Sequence, residues 1–185
     1  MLTVIIPNSW KNCRIGDVFF PRMKKVKPLD YPDLPFIGMD SVEPHTTRVL
    51  HHYSSLDLKS SAAAFLSGDI IYGRLRPYLN KVAMPNFDGL ASAEFIVLPK
   101  SENLNLRFFL YRLNARDFVS FSSHLNEGDR PRVSFDQISD FEVALPPLPE
   151  QHRIVAKIEE LFSELDGCNQ IPASHAAIFC GISSI

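Results

Sequence analysis

The chain has 185 residues, 45% of them apolar and 22% charged, with a formal net charge of −2. That length suits one domain with an appendage, the charged fraction is ordinary for a soluble protein, and no apolar run is long enough to span a membrane. Three cysteines (Cys13, Cys168, Cys180) without metal-ligand spacing fit free thiols in a reducing compartment rather than a disulfide frame.

The start, Met1–Pro7, lacks a charged segment leading into a long apolar run, so no secretory signal is expected and a cytoplasmic location follows. Charge is unevenly placed. Residues 150–166 hold two basic and five acidic side chains, leaving 17 basic against 16 acidic in residues 1–149. Within that body, Lys11, Arg14, Arg22, Lys24, Lys25 and Lys27 face only Asp17 along residues 11–27. Such local patches, more than the total, set phosphate affinity.

In chain order, residues 1–11 read as an edge segment ending at Trp10, and 14–20 as a short helix or strand. Residues 24–35 are charged and proline-bearing, hence a loop, and 35–39 a strand. Residues 40–67 are mixed, with a short element at 60–66. Residues 69–72 read as a strand, 73–78 as a turn, 79–84 as the returning strand and 93–98 as a further strand. The period then changes: Leu104, Phe108 and Tyr111 share a helical stripe, which predicts two helices over 103–113 and 114–124. Residues 126–132 form a polar loop, Ser134 caps one helical turn, and 141–145 is a final strand.

The last helix follows Pro149, which tolerates a first-turn position because its missing N–H is not needed there. Ile154, Ile158, Leu161 and Leu165 are spaced 4, 3, 4. That is the seam of paired helices, and equally the stripe of a helix packed on its own domain. Arg153 and Lys157 come early and Glu159, Glu160, Glu164 and Asp166 late, which opposes the helix dipole unless the helix runs on. Residues 167–185 contain no charged side chain. They read as a frameshift or truncated reading frame, or as a poorly ordered native terminus.

The richest polar cluster is residues 68–81. If the segment stays extended, Arg74, Arg76, Tyr78 and Asn80 share a face, with Lys81 next. Guanidinium groups match phosphate oxygens and the guanine O6/N7 edge, and a carboxamide matches the adenine N6/N7 edge. The alternative is a solvated hairpin whose arginines pair with nearby acids. Arg130 and Arg132 repeat the spacing around Pro131, with Glu127 or Asp129 as internal partners; Lys24 and Lys25 are second-tier candidates, and His51-His52 a weaker one. No dinucleotide or S-adenosylmethionine loop, P-loop or zinc spacing is present. Asp33, Asp57 and Lys59 match a loose Mg²⁺-nuclease pattern, an enzyme alternative; the other alternative is an interaction fragment that binds a protein partner through the last helix and no DNA.

The run Leu145-Pro-Pro-Leu-Pro-Glu-Gln-His-Arg-Ile-Val-Ala-Lys-Ile-Glu-Glu-Leu-Phe-Ser-Glu-Leu-Asp166 closely resembles the junction between a target recognition domain and the conserved helix in specificity subunits of type I restriction–modification systems. Residues 68–81 resemble the internal Gly-Asp-Ile-Leu-like strand of such domains, and 126–135 the segment before their last strand. The likeness covers about residues 5–166. It implies an α/β (α+β) fold, a mixed curved sheet with packed helices. Residues 1–148 would be the DNA-binding domain, 149–166 the start of the spacer helix and 167–185 an atypical tail.

The resemblance also implies a non-catalytic module that reads double-stranded DNA and takes no cofactor or metal of its own. Partners of such subunits would bind S-adenosylmethionine for adenine methylation, and ATP and Mg²⁺ for translocation and cleavage. The expected partners are the modification and restriction subunits. Family members usually carry two recognition domains in tandem, each reading one half of a split sequence, and only one is present here. A helix ending near Asp166 keeps about two heptads, marginal for pairing, so only a weak homodimer through Ile154, Ile158, Leu161 and Leu165 is expected.

Overall fold

The computed structural model describes residues 7–58, 60–126 and 128–169, omitting the side chains of Asp57 and of residues 166–169. The expectations for residues 1–6, Lys59, Glu127 and 170–185, and for the Asp57 side chain, lie outside the described residues. Ten strands and five helices follow in the order β1 Lys11–Arg14, α1 Ile15–Val18, β2 Lys25–Val26, β3 Pro35–Ile37, β4 Tyr53–Ser54, β5 Ala62–Phe65, β6 Ile70–Gly73, β7 Val82–Ala83, β8 Gly89–Ser92, β9 Phe95–Leu98, α2 Leu106–Asn114, α3 Arg116–Ser123, α4 Phe135–Ser139, β10 Glu142–Leu145 and α5 Leu148–Asn169 among those residues.

The α/β class holds, and its strands divide among three sheets rather than one. A five-stranded sheet has the order β2-β5-β8-β3-β4 and is mixed, because β3 and β8 run parallel. A three-stranded sheet has the order β7-β6-β9, all antiparallel. The expected final strand, β10, pairs instead with β1, Lys11 opposite Leu145 and Arg14 opposite Glu142, tying together the two ends of the domain.

The three-stranded sheet is the middle layer, and its alternation shows why. Ile70, Tyr72, Val82, Ile96 and Leu98 join a core with α1, α2 and α3. Their neighbours Ile71, Ala83, Phe95 and Val97 point to the opposite side and pack with Ile37, Ala63, Phe65 and Ala91 of the five-stranded sheet. Successive strand side chains alternate faces, so a strand covered on both sides must be apolar throughout, as β6 and β9 are. In the helical layer Phe109 is fully buried and meets Phe19 edge-on at 4.9 Å between ring centroids.

Local signals account for the helices. Asn105 caps α2 by accepting from Arg107 and Phe108 N–H, and Ser134 caps α4 in a reciprocal box with Gln137. The two expected helices over 103–124 are α2 and α3. The stretch expected as a loop over 24–35 contains β2 and a 3-10 turn at Pro28–Asp30. The strand expected over 79–84 is only β7, because Pro77–Leu79 is a 3-10 turn.

Helix α5 spans 22 residues, about 33 Å at 1.5 Å per residue, and runs three residues past Asp166. Its first half belongs to the domain. Val155 is buried in the helical core, with Ile154 packed partly against it. Gln151 is buried: its Oε1 accepts from Asn105 N–H at 2.9 Å and its Nε2 donates to the Pro146 carbonyl at 2.9 Å. Glu159 accepts from Arg107 and the Tyr111 hydroxyl, so that late acid is offset across the domain. The seam then leaves the domain: Leu161 and Leu165 are 46% and 60% exposed. The reading as a helix packed on its own domain therefore holds for the first half of the helix. Gln151→Leu strands two backbone groups in the interior and is expected to cost about 1–3 kcal/mol, read as a lower urea midpoint.

Candidate functional site

The two basic segments singled out in the sequence, 74–81 and 130–132, come together. Leu75 and Arg132 form an isolated antiparallel bridge. Arg76 N–H donates to the Pro131 carbonyl at 2.8 Å, and Val133 N–H to the Arg74 carbonyl at 3.0 Å. This short ladder makes one ridge out of two segments distant in the chain, with Arg76, Arg130 and Arg132 exposed along it.

The second segment is held from below. The Asn126 carboxamide donates to the Arg132 carbonyl and, at 3.1 Å, to Gln137 Oε1. Gly128 takes a φ of +114°, open to glycine at no steric cost. Arg132 is also paired with Glu94 through two bonds, Nε to Oε2 at 3.1 Å and Nη2 to Oε1 at 2.8 Å. Among the described residues, no salt bridge forms at Arg76, Arg130, Lys24 or Lys25. Lys24 and Lys25 are exposed at and just before β2.

The first segment does not stay extended, which corrects the shared-face expectation. Arg76 and Asn80 both adopt the left-handed conformation, φ 51° and 44°, on either side of the 3-10 turn. The alternation therefore breaks at Arg76 and again before Lys81. Asn80 is only 2% exposed; its Nδ2 donates to Asn114 Oδ1, and Asn114 Nδ2 donates to the His45 carbonyl at 3.2 Å. With its amide nitrogen already donating and its side chain buried, this carboxamide cannot present its edge to a base. Lys81 is likewise turned inward, its Nζ donating to the Met39 carbonyl at 2.6 Å. Both side chains bond back to the body of the domain. Their backbone is fixed where β6 ends: Gly73 N–H donates to the Lys81 carbonyl at 2.8 Å, and a Cβ on Gly73 would meet that oxygen at 3.0 Å. Tyr78 stays out of the core at the turn, 45% exposed.

Arg74 is half-buried. Its N–H donates to the Glu94 carbonyl at 2.8 Å, while its Nε is buried without a hydrogen-bond partner among the described residues. It lines a mostly apolar groove of about 380 Å³ beside Met23, Lys25, Ala93, Phe95 and Phe135. Periodicity does not reveal this groove, because its walls come from five separate stretches of chain.

Other polar candidates are engaged locally. The Tyr53 hydroxyl donates to Asp40, holding that carboxyl below its ordinary range and pushing the phenol up. His51 Nε2 lies 3.0 Å from the same hydroxyl, and His52 packs edge-on to Phe87. Among the described residues no cluster of three or more His, Cys, Asp or Glu side chains could hold a metal ion. Asp33 of the nuclease alternative is an exposed turn residue. No helix among the described residues is long and apolar enough to cross a membrane.

The fold and sequence have close counterparts. The type I restriction modification DNA specificity domain family model matches residues 7–174. The chain is 32% identical over 164 residues to the type I restriction enzyme EcoDI specificity subunit of Escherichia coli, covering 87% of this chain and 36% of that protein. It is 25% identical to the HindI specificity subunit of Haemophilus influenzae, covering 89% and 38%. Among solved structures, the HsdS subunit of Thermoanaerobacter tengcongensis superposes with a TM-score of 0.78 at 25% identity, over 94% of this chain and 47% of that one. A chain from a structure of complex assembly and conformational transition in a type I R-M system gives 0.75 at 25% identity, over 92% and 46%. The chain thus spans between about a third and a half of the length of these relatives. With nine-tenths of its length matched by one family model, the chain belongs to the type I restriction modification DNA specificity domain family.

Proposed function

We propose that this chain reads double-stranded DNA as one recognition domain of a type I restriction–modification specificity subunit, contributing one half of a bipartite target. The ladder that merges the 74–76 and 130–132 segments carries this reading, because it presents Arg76, Arg130 and Arg132 on one rigid ridge. Exposed Tyr78, and Lys24 and Lys25 from the β2 region, supply further contacts; Arg74 reaches the ridge from the groove. Asn80 and Lys81 act only by holding the turn in shape.

In this reading the chain performs no catalytic step and binds no cofactor or metal. S-adenosylmethionine, ATP and Mg²⁺ belong to the modification and restriction subunits it would assemble with in the cytoplasm. The EcoDI relative is a subunit of a restriction enzyme, and one similar structure concerns complex assembly. The outer half of α5, with Leu161, Phe162 and Leu165 exposed, is the surface offered to a modification subunit or, weakly, to a second copy.

The test is a mobility shift with pooled random duplexes at low salt, followed by sequencing of the bound fraction. A short enriched sequence is expected. Absence of any shifted duplex disposes of the reading, and a shift without enrichment confines it to phosphate binding.

A further inference from the structure

The three exposed arginines of the ridge are not equivalent. Arg76 and Arg130 form no salt bridge among the described residues. Arg132 is bonded along one side of its guanidinium to Glu94, Nε to Oε2 at 3.1 Å and Nη2 to Oε1 at 2.8 Å. Both partners are anchored at the backbone. Arg132 lies in the ladder opposite Leu75, and its carbonyl accepts from Asn126. Glu94 sits in the tight turn between β8 and β9. Its N–H donates to Ser92 Oγ at 3.3 Å, and its carbonyl accepts from Arg74 N–H at 2.8 Å. The Glu94 side chain is 27% exposed and that of Arg132 55%, so the acid is the covered partner and the guanidinium the outer one.

This pairing has two physical effects. It fixes the plane of a fork that otherwise loses rotamer freedom only on binding. The carboxylate takes the Nε side of the fork and leaves the outer N–H groups of Nη1 and Nη2 side by side, without a partner among the described residues. The pairing also cancels the charge. A neutral pair gains little from a phosphate, whose affinity comes from counterion release, whereas an uncharged base edge needs only donors. Two parallel donors match O6 and N7 of guanine. Adenine sets a donor beside its N7, and thymine and cytosine lack a second acceptor in the major groove.

We propose that Arg132, held in orientation by Glu94, reads one guanine of the half-site through its O6 and N7 edge in the major groove. The proposal rests on the DNA-reading function above. It assigns that function a specificity-determining residue, the base it takes and a positioning residue behind it.

The experiment starts from the sequence enriched in the pooled-duplex selection. Each guanine is replaced in turn by 7-deazaguanine, which keeps base pairing and lacks the N7 acceptor. At one guanine the replacement is expected to weaken binding by the wild-type chain about tenfold. Arg132→Ala and Glu94→Ala are each expected to erase that difference, while preferences at the other base pairs persist and report that the variants are folded. Overall affinity moves with the altered charge, so the ratio at each guanine is the readout. Should Glu94→Ala lose every preference, Glu94→Gln, which keeps one acceptor and the side-chain shape, is expected to reduce the difference at that guanine alone. An enriched sequence without such a guanine overturns the proposal, as does a difference that survives Arg132→Ala. A difference that survives Glu94→Ala overturns the positioning role of Glu94. Failure to enrich any sequence overturns base reading by the domain as a whole, a distinct outcome.

Discussion

Arg76→Ala combined with Arg130→Ala is expected to weaken binding of duplex DNA by about thirty- to a hundredfold at low salt. The two guanidinium groups stand on one ridge, exposed and outside the salt bridges of the described residues, so their full donor capacity faces outward. A hydrogen bond to a charged group contributes about 1.5–3 kcal/mol and a bidentate base contact about 1–3 kcal/mol. Losing both, with partial compensation by neighbours, gives about 2–3 kcal/mol. Salt titration separates the roles. If both touch phosphate, the slope of log K against log salt falls by about 1.8 and all sequences weaken alike. If either reads a base, discrimination at one position relaxes. The converse change, Glu94→Gln, releases Arg132 from its two-bond partner and is expected to tighten binding severalfold. An unchanged Kd in the double variant would remove the ridge from the interface, because neither side chain is needed for folding.

Asp69→Ala is expected to destabilise the domain by about 3–5 kcal/mol, a large share of the roughly 5–15 kcal/mol that holds a domain folded. Asp69 is fully buried. Its Oδ2 accepts from Arg22 Nε at 3.1 Å and from Leu66 N–H at 2.9 Å, and its Oδ1 accepts from Lys100 N–H at 2.9 Å. One carboxylate therefore fastens the start of β6, the end of β9 and the segment between α1 and β2. Alanine leaves two amides and a guanidinium without their acceptor. Asp69→Asn keeps one acceptor oxygen and should fall between. Denaturant melts followed by circular dichroism measure both; a loss below about 1 kcal/mol would mean that water replaces the carboxylate without strain.

This residue shows how motifs and folds relate. Gly68-Asp69-Ile70 drew attention in the sequence as part of a basic, polar cluster, and its acid is structural. Likewise Gln151, inside the most family-like run of the chain, ties α5 to the cap of α2 instead of facing a partner. Helices α2 and α3 were legible because periodicity and caps act within a few residues. Strand β8, central in the five-stranded sheet, was not. Its Gly89-Leu-Ala-Ser carries little β signal of its own, and it is a strand because β3 and β5 flank it.

The candidate site divides the same way. That Arg74, Arg76, Arg130 and Arg132 are candidates follows from residue type and spacing; that the two pairs share one ridge does not. That Asn80 and Lys81 turn inward does not, because a left-handed backbone at Arg76 and Asn80 reverses what alternation predicts. Helical periods, caps and the proline-led junction placed the longer helices, and the resemblance carried by that junction implied the class of fold and the family. Only the tertiary structure decided which polar side chains face outward, which strands share a sheet and where α5 leaves the domain. Those outcomes depend on hydrogen bonds and packing between residues tens of positions apart, and no local pattern encodes such pairings.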